Sequence, residues 1–238
     1  MSPTPKPLVI LIPWDPESPE HRERMYQQRV ACGWNQQAVG GWREAQLKGK
    51  MALQWVALTD ANEDKKAKLA AHTSKYPAEL LPITDTALQL QGKPRTPTHV
   101  SFIPVGHISL DSALDYSTDP RLVDASNGVY HISSFYVSRA LQSGGLGRAT
   151  MDCLEDMATA EPLCAKVLTL RTMAKSSSLD EKRIKALGKP SAPKVVNQDW
   201  YTRRGYEIFD YIERCWHDTD KDGKEWPATA VLMRRPIG

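Results

Sequence analysis

The chain has 238 residues, 41% of them hydrophobic and 25% charged, enough for a packed core and too apolar for wholesale disorder. Its net charge of +3 comes from scattered basic residues, a field too weak to mark a nucleic-acid partner but suited to an anionic small ligand. The longest apolar run, residues 8–12, is far too short for a membrane span and lacks the small-residue cleavage site of a signal peptide.

Residues 1–7 are proline-rich and read as a flexible lead-in. A single domain is then expected over residues 8–238. Residues 8–12 form a buried strand. A helix follows over 18–35, with Ser18 as its cap, Pro19 at the first helical position and Glu20 and Glu23 at its positive end. A second helix covers 37–49, and a strand with Trp55 and Val56 covers 51–58. Residues 60–98, charged and then proline-punctuated, are an insertion holding one short helix, with too few apolar residues for a second core.

Strands are expected at 99–110 and 129–137. An amphipathic helix follows over 147–160, with Leu146, Thr150, Cys153, Leu154 and Met157 at helical spacing. After a strand at 167–172, residues 174–196 carry the run Ser176 to Ser178, five lysines and two prolines, the composition of a mobile, lid-like loop. A short helix over 197–204 ends at Gly205, and strands over 206–216 and 229–235 close the chain. Four cysteines lie far apart, with no CxxC pair and no zinc spacing, so the expected setting is cytoplasmic, with reduced thiols.

The informative stretch joins the strand at 129–137 to the helix at 147–160. Ser143, Gly144, Gly145 and Gly147 form a glycine-rich turn that opens directly into the helix. The first helical N–H groups lack intrahelical partners and point out of the helix mouth, where the dipole adds positive charge. Glycine lets the backbone approach a phosphate closely. The turn is therefore an anion site suited to a diphosphate. It contains no Gly-Lys-Ser/Thr and does not have the GxGxxG spacing, which excludes a P-loop and a dinucleotide fingerprint.

Gln142-x-x-Gly145-x-Gly147 resembles the (Arg/Gln)-x-x-Gly-x-(Gly/Ala) signature of the GNAT acetyltransferases. Downstream, Tyr201-Thr202-Arg203-Arg204-Gly205-Tyr206 resembles that family's Tyr-x-x-x-Gly-Phe/Tyr segment, with room between the two motifs for one strand and a loop. The resemblance spans the element order of the whole chain. It implies an α/β (α+β) fold with a mixed, mostly antiparallel sheet of about seven strands flanked by helices. It also implies acetyl-coenzyme A as co-substrate, with no metal. The diphosphate would lie on Gln142, Ser143, Gly144, Gly145, Leu146, Gly147, Arg148 and Ala149. Phe135, Tyr136 and Val137 would run beside the pantetheine arm, and a backbone N–H near Tyr136 or Val137 would meet the oxyanion.

The same resemblance makes Tyr201 the candidate general acid for the leaving thiolate, since a phenol can donate a proton without being charged at neutral pH. His131 is the candidate general base, on one strand face with Ser133 and Phe135 under two-residue alternation. His107 is a second candidate, and Asp111 or Glu155 would act through water. Lys175, Arg203 and Arg204 are near enough in such a fold to reach the outer phosphates. Trp14, Trp34, Trp42 and Trp55 fall where the family forms its acceptor pocket, with core packing the default.

The expected acceptor is a small-molecule primary amine, because the two insertions suit a narrow site. The alternatives are a protein N-terminus or lysine, and a GNAT-fold module that binds coenzyme A without turning it over. No nucleic acid or membrane partner is expected, and monomer and homodimer are both compatible. Asp218, Asp220, Asp222 and Gly223 imitate the start of an EF-hand loop, but Thr229 stands where a bidentate glutamate is needed, so they read as a hairpin turn.

Overall fold

A computed structural model describes residues 7–237; of the expected lead-in, residues 1–6 lie outside the described residues. Strands β1 (Val9–Pro13), β2 (Leu53–Leu58), β3 (Gly106–Asp111), β4 (Val129–Val137), β5 (Val167–Met173), β6 (Glu207–Thr219) and β7 (Glu225–Pro236) form one sheet. Their spatial order is β1-β2-β3-β4-β5-β7-β6. Every pairing is antiparallel except that of β4 with β5. The helices are α1 (Pro19–Cys32), α2 (Val39–Leu47), α3 (Lys65–Lys75), α4 (Leu146–Thr159), α5 (Lys175–Ser178), α6 (Glu181–Ala186) and α7 (Asn197–Arg203).

Local chemistry sets the helix ends. At α1, Ser18 Oγ accepts from the His21 N–H at 3.3 Å, Pro19 takes the first position, and Gly33 closes the helix at φ 78°. Successive strand residues point to opposite faces, so the sheet separates two cores. On one face Val56, Leu58, Ile108, Leu110, Tyr130, Ile132, Leu168 and Leu170 pack with Leu146, Met151 and Leu154 of α4. On the other, Leu53, Trp55 and Ala57 of β2 meet Met25 of α1 and Val39 of α2.

Three expectations are corrected. The strand expected over 99–110 is broken: Ser101–Phe102 pairs with Ile83–Thr84 in a separate ribbon, and β3 starts only at Gly106. Pro104 lies in the gap and has no N–H for a ladder bond. Residues 174–196 are not wholly loop. Asp180 caps α6 by accepting from the Lys182 and Arg183 N–H groups, and Arg183 is buried in an ion pair with Asp218 of β6. The third correction concerns side-chain direction on β4. His107 pairs with Tyr136 and Ser109 with Ser133, so three β4 steps oppose two on β3, and Ser134 takes φ 50°. This bulge resets the alternation. His131 and Ser133 share a face, but Phe135 turns to the α4 side and Tyr136 to the face of His107.

The parallel pairing of β4 and β5 runs from Val129 with Val167 to Ile132 with Leu170 and then stops. Beyond it β4 continues to Val137 beside β3 alone, and β5 continues to Met173 beside β7 alone. A wedge therefore opens inside the sheet, and the turn from β4 to α4 stands at its wide end. Of the acidic triplet, Asp218 lies in β6 and Asp220 and Asp222 make the β6–β7 turn, with the Asp220 N–H donating to Lys224 O at 3.0 Å and Gly223 at φ 80°. No helix among the described residues is long and apolar enough to cross a membrane.

Candidate functional site

Gly145 is the N-cap of α4 at φ 78°, and no side chain caps the helix. Ser143 also takes a positive φ, 69°. The Leu141 N–H donates to Ser138 O at 2.8 Å and the Ala149 N–H to Gly145 O at 3.1 Å. Between them, from Gln142 to Arg148, no backbone N–H has an acceptor among the described residues. These amides are not sealed in: Gln142, Ser143, Gly144 and Gly145 are exposed, and a Cβ built on Gly145 meets nothing within 4 Å. A row of free donors at a helix mouth, with the positive end of the dipole behind it, is a site for a multiply charged anion such as a diphosphate. The exposed Arg148 side chain makes no ion pair with the described residues and adds a mobile cation to the rim.

The wide end of the wedge is walled by α7. The Trp200 ring stands 6.3 Å from that of Phe135, and both approach Gly147, where an added Cβ would lie 3.7 Å from Trp200 and 3.9 Å from Phe135. Next to them Tyr201 is 8% exposed, edge-on to Trp200 at 4.9 Å and to Tyr206 at 5.7 Å. Burial pushes the Tyr201 phenol well above its usual range, and only Arg204 opposes that. Its hydroxyl donates to nothing among the described residues, yet it is not one of the sealed, unpartnered polar atoms. Tyr206, by contrast, gives its hydroxyl to Glu155 at 3.1 Å and is part of the core.

The cations expected near the outer phosphates divide. Arg204 is held by Asp152 and Glu155, both at 2.8 Å, and Lys175 by Asp199 at 2.8 Å, while Arg203 is exposed.

The opposite face of β3, β4 and β5 carries the titratable groups. Thr169 Oγ1 gives its one proton to Leu122 O, so at 2.8 Å it accepts from His131 Nδ1–H. Nε2 of His131 is then an acceptor, and the Tyr116 hydroxyl donates to it at 3.0 Å. His131 is 1% exposed, and burial, with Arg171 adding to it, lowers its pKa to about 3. His107 is similarly filled. Gln28 spends its amide N–H groups on Glu79 and Pro104 O, so its Oε1 accepts from His107 Nδ1–H at 2.9 Å, and Arg29 faces Nε2 at 3.3 Å. Burial and Arg29 hold His107 well below the usual histidine range. Both rings are neutral wall groups with both nitrogens occupied.

Asp111 differs. It pairs with His131 across the β3–β4 ladder and receives hydroxyl donors from Ser109 on one oxygen and Ser133, at 2.6 Å, on the other. Burial raises its pKa to about 7, the two serines resisting and Asp115 contributing. Ser133 is half-buried at the start of the wedge, and so connects this carboxyl to the opening.

Of the four N-terminal tryptophans, Trp14 and Trp55 are fully buried core. Trp34 is half-exposed and edge-on to Trp216 of β6 at 5.9 Å, a contact that bridges the α1–α2 loop and the last hairpin. Buried Arg29 fixes that loop by donating twice to Trp34 O, at 3.0 and 2.7 Å, and its guanidinium lies 5.3 Å from the Trp42 ring. Trp200, Tyr116 and Arg171 join the site without a sequence motif to mark them; only the adjacency of Trp200 to Tyr201 was a signal.

No family model and no curated protein matches the sequence. Solved structures do match in fold. Arabidopsis thaliana NAA60 in complex with a bisubstrate analogue superposes at TM-score 0.52 with 11% identity, over 97% of this chain and 99% of that one. The aminoglycoside 6'-N-acetyltransferase from Enterococcus faecium gives 0.51 and 11%, over 96% and 97%. A probable acetyltransferase of the GNAT family from Chromobacterium violaceum gives 0.53 and 11%, over 98% and 85%. The chain has the GNAT fold.

Proposed function

We propose that this GNAT-fold chain is an N-acetyltransferase that moves acetyl from acetyl-coenzyme A to the primary amine of a small molecule. The observation that carries the reading is the unbroken row of acceptor-less backbone N–H groups from Gln142 to Arg148 at the open mouth of α4. Those donors fit a diphosphate, and the adjoining wedge supplies what the rest of the coenzyme needs. Its β4 edge from Phe135 to Val137 has no strand partner on the β5 side, which leaves that side to an amide-bearing arm, with Trp200 as an apolar wall.

The coenzyme would supply an acyl thioester, whose carbon is open to direct attack by a neutral amine. A backbone N–H of the open β4 edge would stabilise the developing oxyanion. Tyr201 would donate its proton to the departing sulfur: the phenol is un-ionised at neutral pH and its hydroxyl has no competing acceptor among the described residues. We place the amine proton on Asp111 instead of His131. Ser133 would take the proton as it passes its own to Asp111 Oδ2, leaving a neutral carboxyl that then releases its proton to solvent. A group near 7 suits that task; a buried histidine near 3 does not. His131 would then be a positioning residue, holding the Tyr116 hydroxyl at the acceptor side.

The small acceptor is favoured by the Trp34–Trp216 bridge, which narrows the mouth where a peptide would need an open groove. Coenzyme A should raise the melting temperature, and a screen of amines, amino acids, polyamines and peptides for thiol release from acetyl-coenzyme A should find turnover. Coenzyme A binding without turnover on any acceptor would leave a non-catalytic binding module in its place.

A further inference from the structure

Arg171 is an uncompensated cation at the acceptor side of the wedge. It lies one residue past Leu170, the last β5 residue paired with β4, and is therefore level with Ser133 across the opening. Leu168 and Leu170 point into the α4 core, so Thr169 and Arg171 project to the face of His131 and Ser133. Its guanidinium lies 4.0 Å from the Tyr116 ring centroid and 5.2 Å from that of Trp216. Nη1 approaches Cys215 Sγ at 3.6 Å. Nε and Nη2 make no hydrogen bond among the described residues and are not sealed from solvent, and no described carboxylate is within ion-pair distance.

Aromatic rings on either side attract a guanidinium without using its N–H donors, which stay available for binding. The edge presents parallel N–H donors that match the two oxygens of a carboxylate. Other charges nearby are spent: Arg29 on Trp34 O, Asp115 on Lys50, and Asp111 on its serines.

We propose that the acceptor is an amine that also bears a carboxylate, held by Arg171 between Tyr116 and Trp216 while its amino group reaches Ser133. This names the substrate class for the acetyl transfer proposed above and rests on it. At the last paired rung, Ile132 with Leu170, the strands are about 5 Å apart, and Ser133 and Arg171 stand one residue beyond it where the wedge begins, so an anion and an amine bound from them are a few bonds apart, as in an amino acid. Trp34 and Trp216 favour an apolar or aromatic flank on that molecule.

Matched pairs test this: phenylalanine against phenethylamine, leucine against isoamylamine, and 6-aminohexanoate against hexylamine. The expected kcat/KM favours one or more carboxylated members by at least about tenfold, the worth of a charged hydrogen bond. Arg171→Gln should collapse that ratio toward one, and Arg171→Lys, which keeps the charge and loses the fork, should fall between. Quenching of tryptophan fluorescence by the same pairs, with the protein saturated by coenzyme A, reads the preference without turnover. Equal or better use of the decarboxylated amines, or an unchanged ratio in Arg171→Gln, overturns the carboxylate assignment and leaves the transferase standing. No thiol release with any amine, while coenzyme A still binds, overturns both.

Discussion

His72 Nδ1 lies 2.9 Å from Ser138 Oγ, and both residues are fully buried, which ties the insertion at 60–98 to the first residue of the connection from β4 to the glycine-rich turn. The other ring nitrogen faces Glu79 Oε2 at 3.4 Å, and Glu79 in turn accepts from Gln28 of α1. At that distance Nε2 makes no hydrogen bond among the described residues, so the ring is held through Nδ1 by the serine hydroxyl, which also takes the Ala140 N–H at 3.4 Å.

His72→Ala should therefore loosen the turn at its base. The buried Ser138 hydroxyl loses a partner, at a cost of about 1–3 kcal/mol in stability. Coenzyme A affinity should weaken several-fold more than acceptor KM, which isothermal titration and steady-state kinetics can separate. A loss confined to melting temperature would show that the insertion merely scaffolds.

Gly145→Ala should act through strain and through space. A positive φ costs a non-glycine residue roughly 1 kcal/mol, and the new methyl group would project into the open approach to the helix mouth. Coenzyme A binding should weaken by about tenfold or more, with the melting temperature lowered by only a few degrees. Unchanged binding would mean that the anion does not lie on this turn.

Tyr201→Phe separates chemistry from packing. The hydroxyl donates to nothing among the described residues, so its removal breaks none of their hydrogen bonds and stability should hold or rise slightly. The expected kcat falls about 10²-fold, with KM for acetyl-coenzyme A little changed. Retained kcat would move the acid elsewhere.

Asp111 gives two pH signatures. Turnover should climb through about pH 7 as the carboxyl ionises, and Asp111→Asn should lose both that limb and about 10²-fold or more in kcat. Stability moves the other way. Below the unfolded carboxyl's pKa, about 4, the group is protonated in both states and contributes nothing. Between there and about 7 only the unfolded state ionises, so stability falls as pH rises, by about 4 kcal/mol in all. The melting advantage of Asp111→Asn over the parent should widen from pH 4 to 7 and then level off. A flat difference would mean that the carboxyl is ionised throughout.

The strand and helix order and the glycine-rich turn were legible because they rest on local periodicity, caps and breakers: Ser18, Pro19 and Gly205 each announce a boundary, whereas Gly33 ends α1 inside the span expected for it. Phe135 was misplaced because the bulge at Ser134 comes from pairing three residues of β4 with two of β3, which no run along one strand encodes. The helix at Glu181–Ala186 was hidden by a loop-like composition, although Asp180 was a cap signal. Arg204 looked free for phosphate because Asp152 and Glu155 reach it only when α4 and α7 pack together. Asp111 and Arg171 have no motif at all. Their chemistry arises from the serines on Asp111, the rings around Arg171, and the level at which β4 and β5 part.

That parting leaves a seam through the middle of a sheet that is otherwise continuous from β1 to β6. Without a guest the two halves share only the rungs from Val129 to Ile132 and whatever bridges them across the helices. An extended molecule seated there would act as an eighth, non-peptide strand, so amide hydrogen exchange along residues 133–137 and 171–173 should slow together when it docks. The stiffness of this protein would then depend on its guest as much as on its sequence.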